Sequence, residues 1–499
     1  MPAGDATRPT TRRAFIGGSA LALGALGCRS ESEPPRAARR RGDDRPNIVV
    51  IVIDTLRTDH AYGDRARTPN IDALARAGLS FTEVHPEAMP TVPARNSILS
   101  GRREFPFRNW RVHEGLPEFP GWEPLERVRR SFTSALRRAG YWTGYVTDNP
   151  FLAFTRPYEP LRDSFDSFVR RGGQVGGRAA GVSQEEIRHW IPDWLAAQPE
   201  LRLRTIRYLA NGRYEHDESR SFSARVFRSA GDQLEAARRE RRPFALVVDT
   251  FEPHEPWTPP RKYVDMYGDP DYRGVEPVRQ LNLPADRYLP DGERELMLER
   301  MRALYAAEVT LTDRWLGVFM DRLHDLRLDG ETIVVLVSDH GFFLGEHGLT
   351  GKLHEYLHPE LTQVPLIWVD PAGRRAGEQE GYRASTHDIG PTLLAMAGVE
   401  PPESMEGVDL SPLLDGDGAP GREHSIGGYS DSFYIRTDDW ALHGLNKPGG
   451  FRLYDLSADP AERNNVASDH PGLVQSLHRR VRETLGGRLP FYDAVGGGG

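Results

Sequence analysis

PNIVVIVIDTLR, running from Pro46 to Arg57, decides the fold. From Ile48 to Ile53 every residue is isoleucine or valine, so neither face of the segment is marked for solvent. A half-buried strand alternates apolar and polar residues. An unbroken β-branched run belongs to a strand covered on both faces, as in a parallel sheet between helical layers. The same pattern returns at Phe244–Val248 and Thr332–Val337. Helical spacing fills the intervals, for example over Asn70–Ala77, Leu125–Ala139 and Arg302–Leu326. Buried strands alternating with helices predict an α/β fold with a mostly parallel sheet flanked by helices.

Around this pattern the chain changes character. Thr11-Arg12-Arg13-Ala14-Phe15-Ile16 precedes a short apolar run, Gly17 to Gly27, and residues 1–28 resemble a twin-arginine export signal. The run is too short to span a bilayer. Cys28, the only cysteine in the sequence, follows it directly and resembles a bacterial lipoprotein site. Together these imply an exported protein, periplasmic or in the cell envelope, without a membrane span and with Cys28 as the candidate point of a lipid anchor. A single cysteine also excludes an internal disulfide framework and a cysteine nucleophile in the mature chain. Residues 29–45, rich in Glu, Arg and Pro without apolar period, read as a linker. Residues 172–219 read as a helical insertion in which Trp190, Trp194 and Tyr208 pack the helices. Residues 423–490 offer short strands (Phe433–Arg436, Trp440–Gly444, Phe451–Asp455) and a last helix, Pro471–Leu485, which predict a small α+β C-terminal subdomain. The net charge is -8, with basic residues scattered among acidic ones, which argues against a nucleic-acid partner.

In open α/β sheets, ligands sit beyond the carboxyl ends of the strands. Three such ends are polar here: Asp54-Thr55-Leu56-Arg57, Asp249 with Glu252-Pro253-His254-Glu255-Pro256-Trp257 after it, and Ser338-Asp339-His340-Gly341. One carboxylate in such a place is ordinarily a cap or turn residue. Three polar ends together point to a metal site. Asp54, Asp339 and His340 offer hard oxygen and borderline nitrogen, which suits Ca²⁺, Mg²⁺ or Mn²⁺ if oxygen dominates and Zn²⁺ if the imidazole binds. Such an ion polarises a phosphoryl or sulfuryl oxygen and lowers the pKa of a bound hydroxyl. Pro90-Thr-Val-Pro-Ala-Arg-Asn-Ser-Ile-Leu-Ser-Gly101 reads as a helix start with Thr91 at the cap. Arg95, one turn later, faces the same side, where it can clamp an anionic ester beside the free helix amides.

These motifs, in this order, resemble the sulfatase family of the alkaline phosphatase superfamily over Pro46 to Asn465. The resemblance rests on Val-Ile-Asp54-Thr-Leu-Arg57, Thr91-Val-Pro93-Ala-Arg95 through Leu99-Ser-Gly101, Pro253-His254-Glu-Pro-Trp257 and Ser338-Asp339-His340-Gly341. It continues through Gly345-Glu-His347-Gly-Leu-Thr-Gly-Lys352, Val364-Pro-Leu-Ile367 and Leu453-Tyr-Asp-Leu-Ser-Ala-Asp-Pro460. It implies an alkaline-phosphatase-like catalytic domain over residues 46–422 and one divalent ion, Ca²⁺ by family, with Mn²⁺ and Zn²⁺ as other fits. Asp54, Asp339, His340 and Thr91 match the ligand positions and Thr91 the nucleophile. Arg95, His254 and Lys352 match contacts to the substrate anion, and His254 could also protonate the leaving group.

Two departures bear on the substrate. Sulfatases carry at the Thr91 position a cysteine or serine that is oxidised to formylglycine. Threonine is a secondary alcohol whose oxidation would give a ketone, so no formylglycine is expected. Tyr145-Val-Thr-Asp148-Asn149-Pro150 stands where many sulfatases have a lysine and a histidine, and Asp148 and Asn149 are read as lining the pocket instead. His347 and His358 read as structural or rim residues, and Glu252 and Glu255 as solvated. The expected function is metal-dependent hydrolysis of a sulfuric or phosphoric ester. The alternatives are phospho-group transfer on the same site and a non-catalytic anion-binding homologue; retention of Asp54 and Asp339 argues against the last.

Overall fold

The computed structural model describes residues 44–499 except 173, 175–178, 213, 215–216, 419–420, 446–449, 491 and 493–499. The export segment, Cys28 and nearly all of the linker lie outside the described residues. Among the described residues no helix is long and apolar enough to cross a membrane.

Eight strands form the central sheet: β1 (Asn47–Ile53), β2 (Leu79–Phe81), β3 (Trp142–Thr147), β4 (Ser167–Arg170), β5 (Phe244–Thr250), β6 (Thr332–Ser338), β7 (Leu366–Val369) and β8 (Gln379–Glu380). Their order is β8-β2-β7-β6-β1-β5-β3-β4. β1 lies at the centre, parallel to β5 on one side and β6 on the other, and is buried along its whole length. Only β7 runs against its neighbours, antiparallel to both β2 and β6.

Alternation along β1 divides the core between the two faces. Val49, Ile51 and Ile53 pack against residues of the helices Pro69–Ala77, Phe222–Arg239 and Arg294–Asp325. Ile48, Val50 and Val52 pack against residues of Thr91–Ser100, Phe132–Arg138 and Ile389–Met396. The expected helix at Leu125–Ala139 is shorter: a 3₁₀ turn at Val128–Arg130 precedes Ser131, whose side chain accepts from the Ser134 amide and restarts the chain as a true helix. The helix expected from Arg302 begins earlier, at Arg294, because Met297, Leu298 and Met301 are also buried against the core.

A second, five-stranded sheet joins Ser425–Tyr429, Ser432–Arg436, Trp440–Leu445 and Arg452–Asp455 to the short strand Ala88–Met89. Its own small core includes Val474, Leu477 and Val481 of the last helix, Pro471–Thr484. Ala88–Met89 pairs parallel with Gly428–Tyr429 just before the chain turns into Thr91–Ser100. The C-terminal sheet thereby fixes how that helix enters the site.

Candidate active site

The carboxyl ends of β1, β5 and β6 converge on one buried guanidinium. Arg95 donates from Nε and Nη2 to Asp249 Oδ1 (3.0 and 2.7 Å) and from Nη1 to Asp339 Oδ2 (2.5 Å). Its Nη2 lies 3.0 Å from Asp54 Oδ2, an ion pair without hydrogen-bond alignment. Nη1 also donates to the Thr91 carbonyl (3.1 Å), so the first turn of the helix is tied to the same group. Every nitrogen of Arg95 is thus engaged by a protein oxygen, and what remains for an ester is its charge. Burial alone would lower the pKa of Arg95, but Asp249, Asp339 and Asp54 outweigh it and hold the guanidinium firmly protonated.

The three expected metal ligands meet here. Asp54, Asp339 and His340 are fully buried, and their ligand atoms lie within 4.8 Å of one another. Just after β1 the chain makes a left-handed turn at Thr55 (φ 57°), a costly conformation for threonine. It aims the Thr55 amide at Asp339 Oδ1 (2.9 Å). Burial raises the Asp54 pKa, and the charge of Asp339 raises it further. Asp339 is held below the usual carboxylate range: burial opposes ionisation, but His340, Arg95 and the Thr55 amide override it.

These residues fit a divalent cation by what they leave unpaired. Among the described residues no donor reaches either oxygen of Asp54, although both are buried, and its carboxylate neighbour Asp339 can only share a proton with it. His340 Nδ1 donates to the Gly341 carbonyl (2.8 Å), which leaves Nε2 with its lone pair, buried and unpartnered. Burial depresses the pKa of His340 and keeps it neutral, as a ligand must be. Bare acceptors at 0% exposure carry a desolvation cost that a bound cation would relieve.

A second buried group, His358, His443 and Glu462, also has ligand spacing. His358 Nδ1 and His443 Nε2 lie 2.9 and 3.3 Å from Glu462 Oε2. Arg436, however, pairs with Glu462 Oε1 and already neutralises it. A divalent ion there would leave two buried positive charges uncompensated. The cluster therefore works as a tie between the loop at His358 and the C-terminal sheet, in keeping with a structural reading of His358.

Thr91 differs from expectation. It is the first helical residue, Pro90 holds the cap position, and no side chain caps this helix. The hydroxyl is not spent on the backbone, and no hydrogen bond to it is found among the described residues. His254 and Lys352 meet: Lys352 Nζ donates to His254 Nε2 (2.8 Å), while His254 Nδ1 donates to the Glu255 carbonyl (2.7 Å). Burial, helped by Lys352 and Arg279, pulls the His254 pKa down to about 3, so the ring is a neutral acceptor for the lysine. The charge of Lys352 also favours ionised Asp54.

Glu252 and Glu255 are buried, contrary to the solvated reading. Glu252 accepts from the Phe222 and Ser223 amides (3.0 and 2.7 Å). Glu255 lies between Lys352 (3.4 Å) and Arg279 (3.3 Å). Asp148 Oδ1 accepts from the Phe251 amide (2.7 Å), and its buried Oδ2 has no partner. Asn149 caps the helix Pro150–Phe154. The sequence reading missed Asp249 as the anchor of Arg95, although its charge at the end of an apolar strand was the available signal.

The chain as a whole is similar to known proteins. Residues 46–399 match the sulfatase family, and residues 345–486 match the N-sulphoglucosamine sulphohydrolase C-terminal family. The chain is 27% identical to the multifunctional alkaline phosphatase superfamily protein PehA of Trinickia caryophylli, covering 90% of this chain and 96% of that protein. It is 25% identical to the choline-sulfatase of Rhizobium meliloti, covering 91% and 92%. Among solved structures, the phosphonate monoester hydrolase of Agrobacterium radiobacter superposes with a TM-score of 0.65 at 22% identity, over 88% of this chain and 95% of that one.

Proposed function

Because the chain belongs to the sulfatase family of ester hydrolases, we propose that it cleaves a sulfuric or phosphoric ester with unmodified Thr91 as the nucleophile. The observation that carries this reading is the set of unspent groups, both Asp54 oxygens, His340 Nε2 and the Thr91 hydroxyl, the last on the helix turn that Arg95 ties to Asp339. Asp54, Asp339, His340 and Thr91 would hold one divalent cation, Ca²⁺ by family, which supplies Lewis-acid polarisation of the ester and a lowered hydroxyl pKa. Thr91 Oγ1 forms its bond to sulfur or phosphorus as the bond to the leaving oxygen breaks, and the threonine proton is lost to solvent or a nearby base. Arg95, fixed among carboxylates, contributes charge to the anion. Lys352, carried by neutral His254, faces the negative charge that builds on the ester oxygens and bears the proton the leaving alkoxide needs. Water then releases the covalent ester. Relatives whose names specify choline sulfate and phosphonate monoesters as substrates support an ester of sulfur or phosphorus.

The test is turnover of aryl sulfate, phosphate monoester, phosphate diester and phosphonate monoester by metal-loaded protein, beside Thr91→Ala and Thr91→Ser. Thr91→Ala should lose at least about 10³-fold in kcat, and Thr91→Ser should keep measurable activity because the hydroxyl remains. Unchanged turnover in Thr91→Ala would refute the assignment.

A further inference from the structure

We infer that Asp249 is a positioning residue that holds Arg95 in place between Asp54 and Asp339, and through Arg95 sets how tightly that acidic pair holds a divalent cation. The inference rests on the metal reading above and adds a residue outside the Asp54, Asp339 and His340 group.

The sheet register creates the arrangement. Asp249 lies opposite Thr147 on β3, and Tyr145 is two residues earlier on the same strand face. Tyr145 OH and Thr147 Oγ1 each donate to Asp249 Oδ2 (3.0 Å each). Asp249 Oδ1 takes Arg95 Nε and Nη2 (3.0 and 2.7 Å), a paired contact that fixes the guanidinium plane. Both oxygens of Asp249 are thereby occupied by donors, whereas no donor among the described residues reaches either oxygen of Asp54. That contrast separates the roles: Asp54 is open to a cation, and Asp249 is committed to Arg95.

Arg95 carries one positive charge shared among three buried carboxylates. With Asp249 holding the Nε edge, the guanidinium cannot move fully onto Asp54 and Asp339. Without that hold its whole charge would settle on the acidic pair and compete with a cation for the same oxygens. A partner behind a metal site ordinarily changes metal affinity by about 10- to 100-fold.

The experiment uses full-length protein stripped of metal, with Mn²⁺ and Ca²⁺ binding measured by equilibrium dialysis and metal analysis. Asp249→Asn should weaken binding by about 10- to 100-fold. Tyr145→Phe/Thr147→Val, which leaves every charge in place, should weaken it by at least about threefold. In an Arg95→Met background, Asp249→Asn should change affinity by less than about twofold, because the residue acts through Arg95. Thermal unfolding checks that each variant is folded, and if Asp249→Asn does not fold, the Tyr145/Thr147 pair decides. Wild-type affinity in the folded variants would overturn the inference alone. So would a full Asp249→Asn effect without Arg95. Absence of any divalent-ion binding by the wild type would overturn the metal reading itself.

Discussion

Replacing Asp54 by asparagine should stabilise the metal-free protein while destroying its response to metal. Asp54 is 0% exposed, and no donor among the described residues reaches either oxygen. Its relief is the ion pair with Arg95, whose charge is also claimed by Asp249 and Asp339. A buried charge without a donor costs more than the about 1–3 kcal/mol of a neutral polar group, and repulsion from Asp339 adds to that excess. The Asp54→Asn change removes the charge at constant shape and leaves Arg95 its two better partners. The expected gain without metal is therefore about 1–3 kcal/mol. At about 2.1 cal/mol/K of unfolding entropy per residue, a body of this size shifts by only about 1 °C per kcal/mol, so the expected rise in Tm is about 1–3 °C.

Metal should reverse the order. A cation at 100 times its Kd stabilises the wild type by about 2.7 kcal/mol, and the variant, lacking a ligand, gains little. Paired melts of wild type and Asp54→Asn, with chelator and with saturating Mn²⁺ or Ca²⁺ at one scan rate, should cross. The reasoning fails if the metal-free variant melts below metal-free wild type, or if cation raises both equally.

Glu462→Gln should destabilise by about 3 kcal/mol, read by denaturant unfolding, because it strands Arg436 and unties His358 and His443. Bound-metal stoichiometry should stay the same, since that cluster is a tie. His387, with its pKa pulled down to about 3 by burial, holds fewer protons when folded than when unfolded between about pH 3 and 6.5. Its contribution is therefore complete above pH 6.5 and is lost as pH falls. His387→Gln should reduce the acid-side slope of unfolding free energy by up to about 1.4 kcal/mol per pH unit, measured between pH 7 and 5. Lys352→Met should lower kcat/KM by about 10²- to 10³-fold on every ester cleaved, because its charge faces the common reacting group.

The strands were legible because each carries its own cause. Ile48–Ile53 has no polar face to offer solvent, so it can only be a covered strand, and Phe244–Val248 and Thr332–Val337 follow the same rule. The meeting of Asp54, Asp339 and His340 was legible for a related reason, since each sits at the end of such a strand. Thr91 was misread as a cap because cap preference is a local rule. The distant strand Ser425–Tyr429 pairs with Ala88–Met89 and brings the chain in so that Pro90 takes the cap position instead. Glu255 looked solvated among its sequence neighbours, and the groups that engage its buried carboxylate, Lys352 and Arg279, come from other loops.

Asp249 lies between these cases. Its charge at the end of an otherwise apolar strand was visible, and burying an unpaired carboxylate there is prohibitive, so a partner had to exist. The identity of that partner depends on two facts a single segment does not contain: the register that sets Asp249 opposite Thr147, and the helix that brings Arg95 over the strand ends. A lone acid in a buried strand is therefore readable as half of a pair. Its hydroxyl donors belong on the neighbouring strand at the same face, where Tyr145 and Thr147 stand, and its cation on the element that caps the sheet's carboxyl edge.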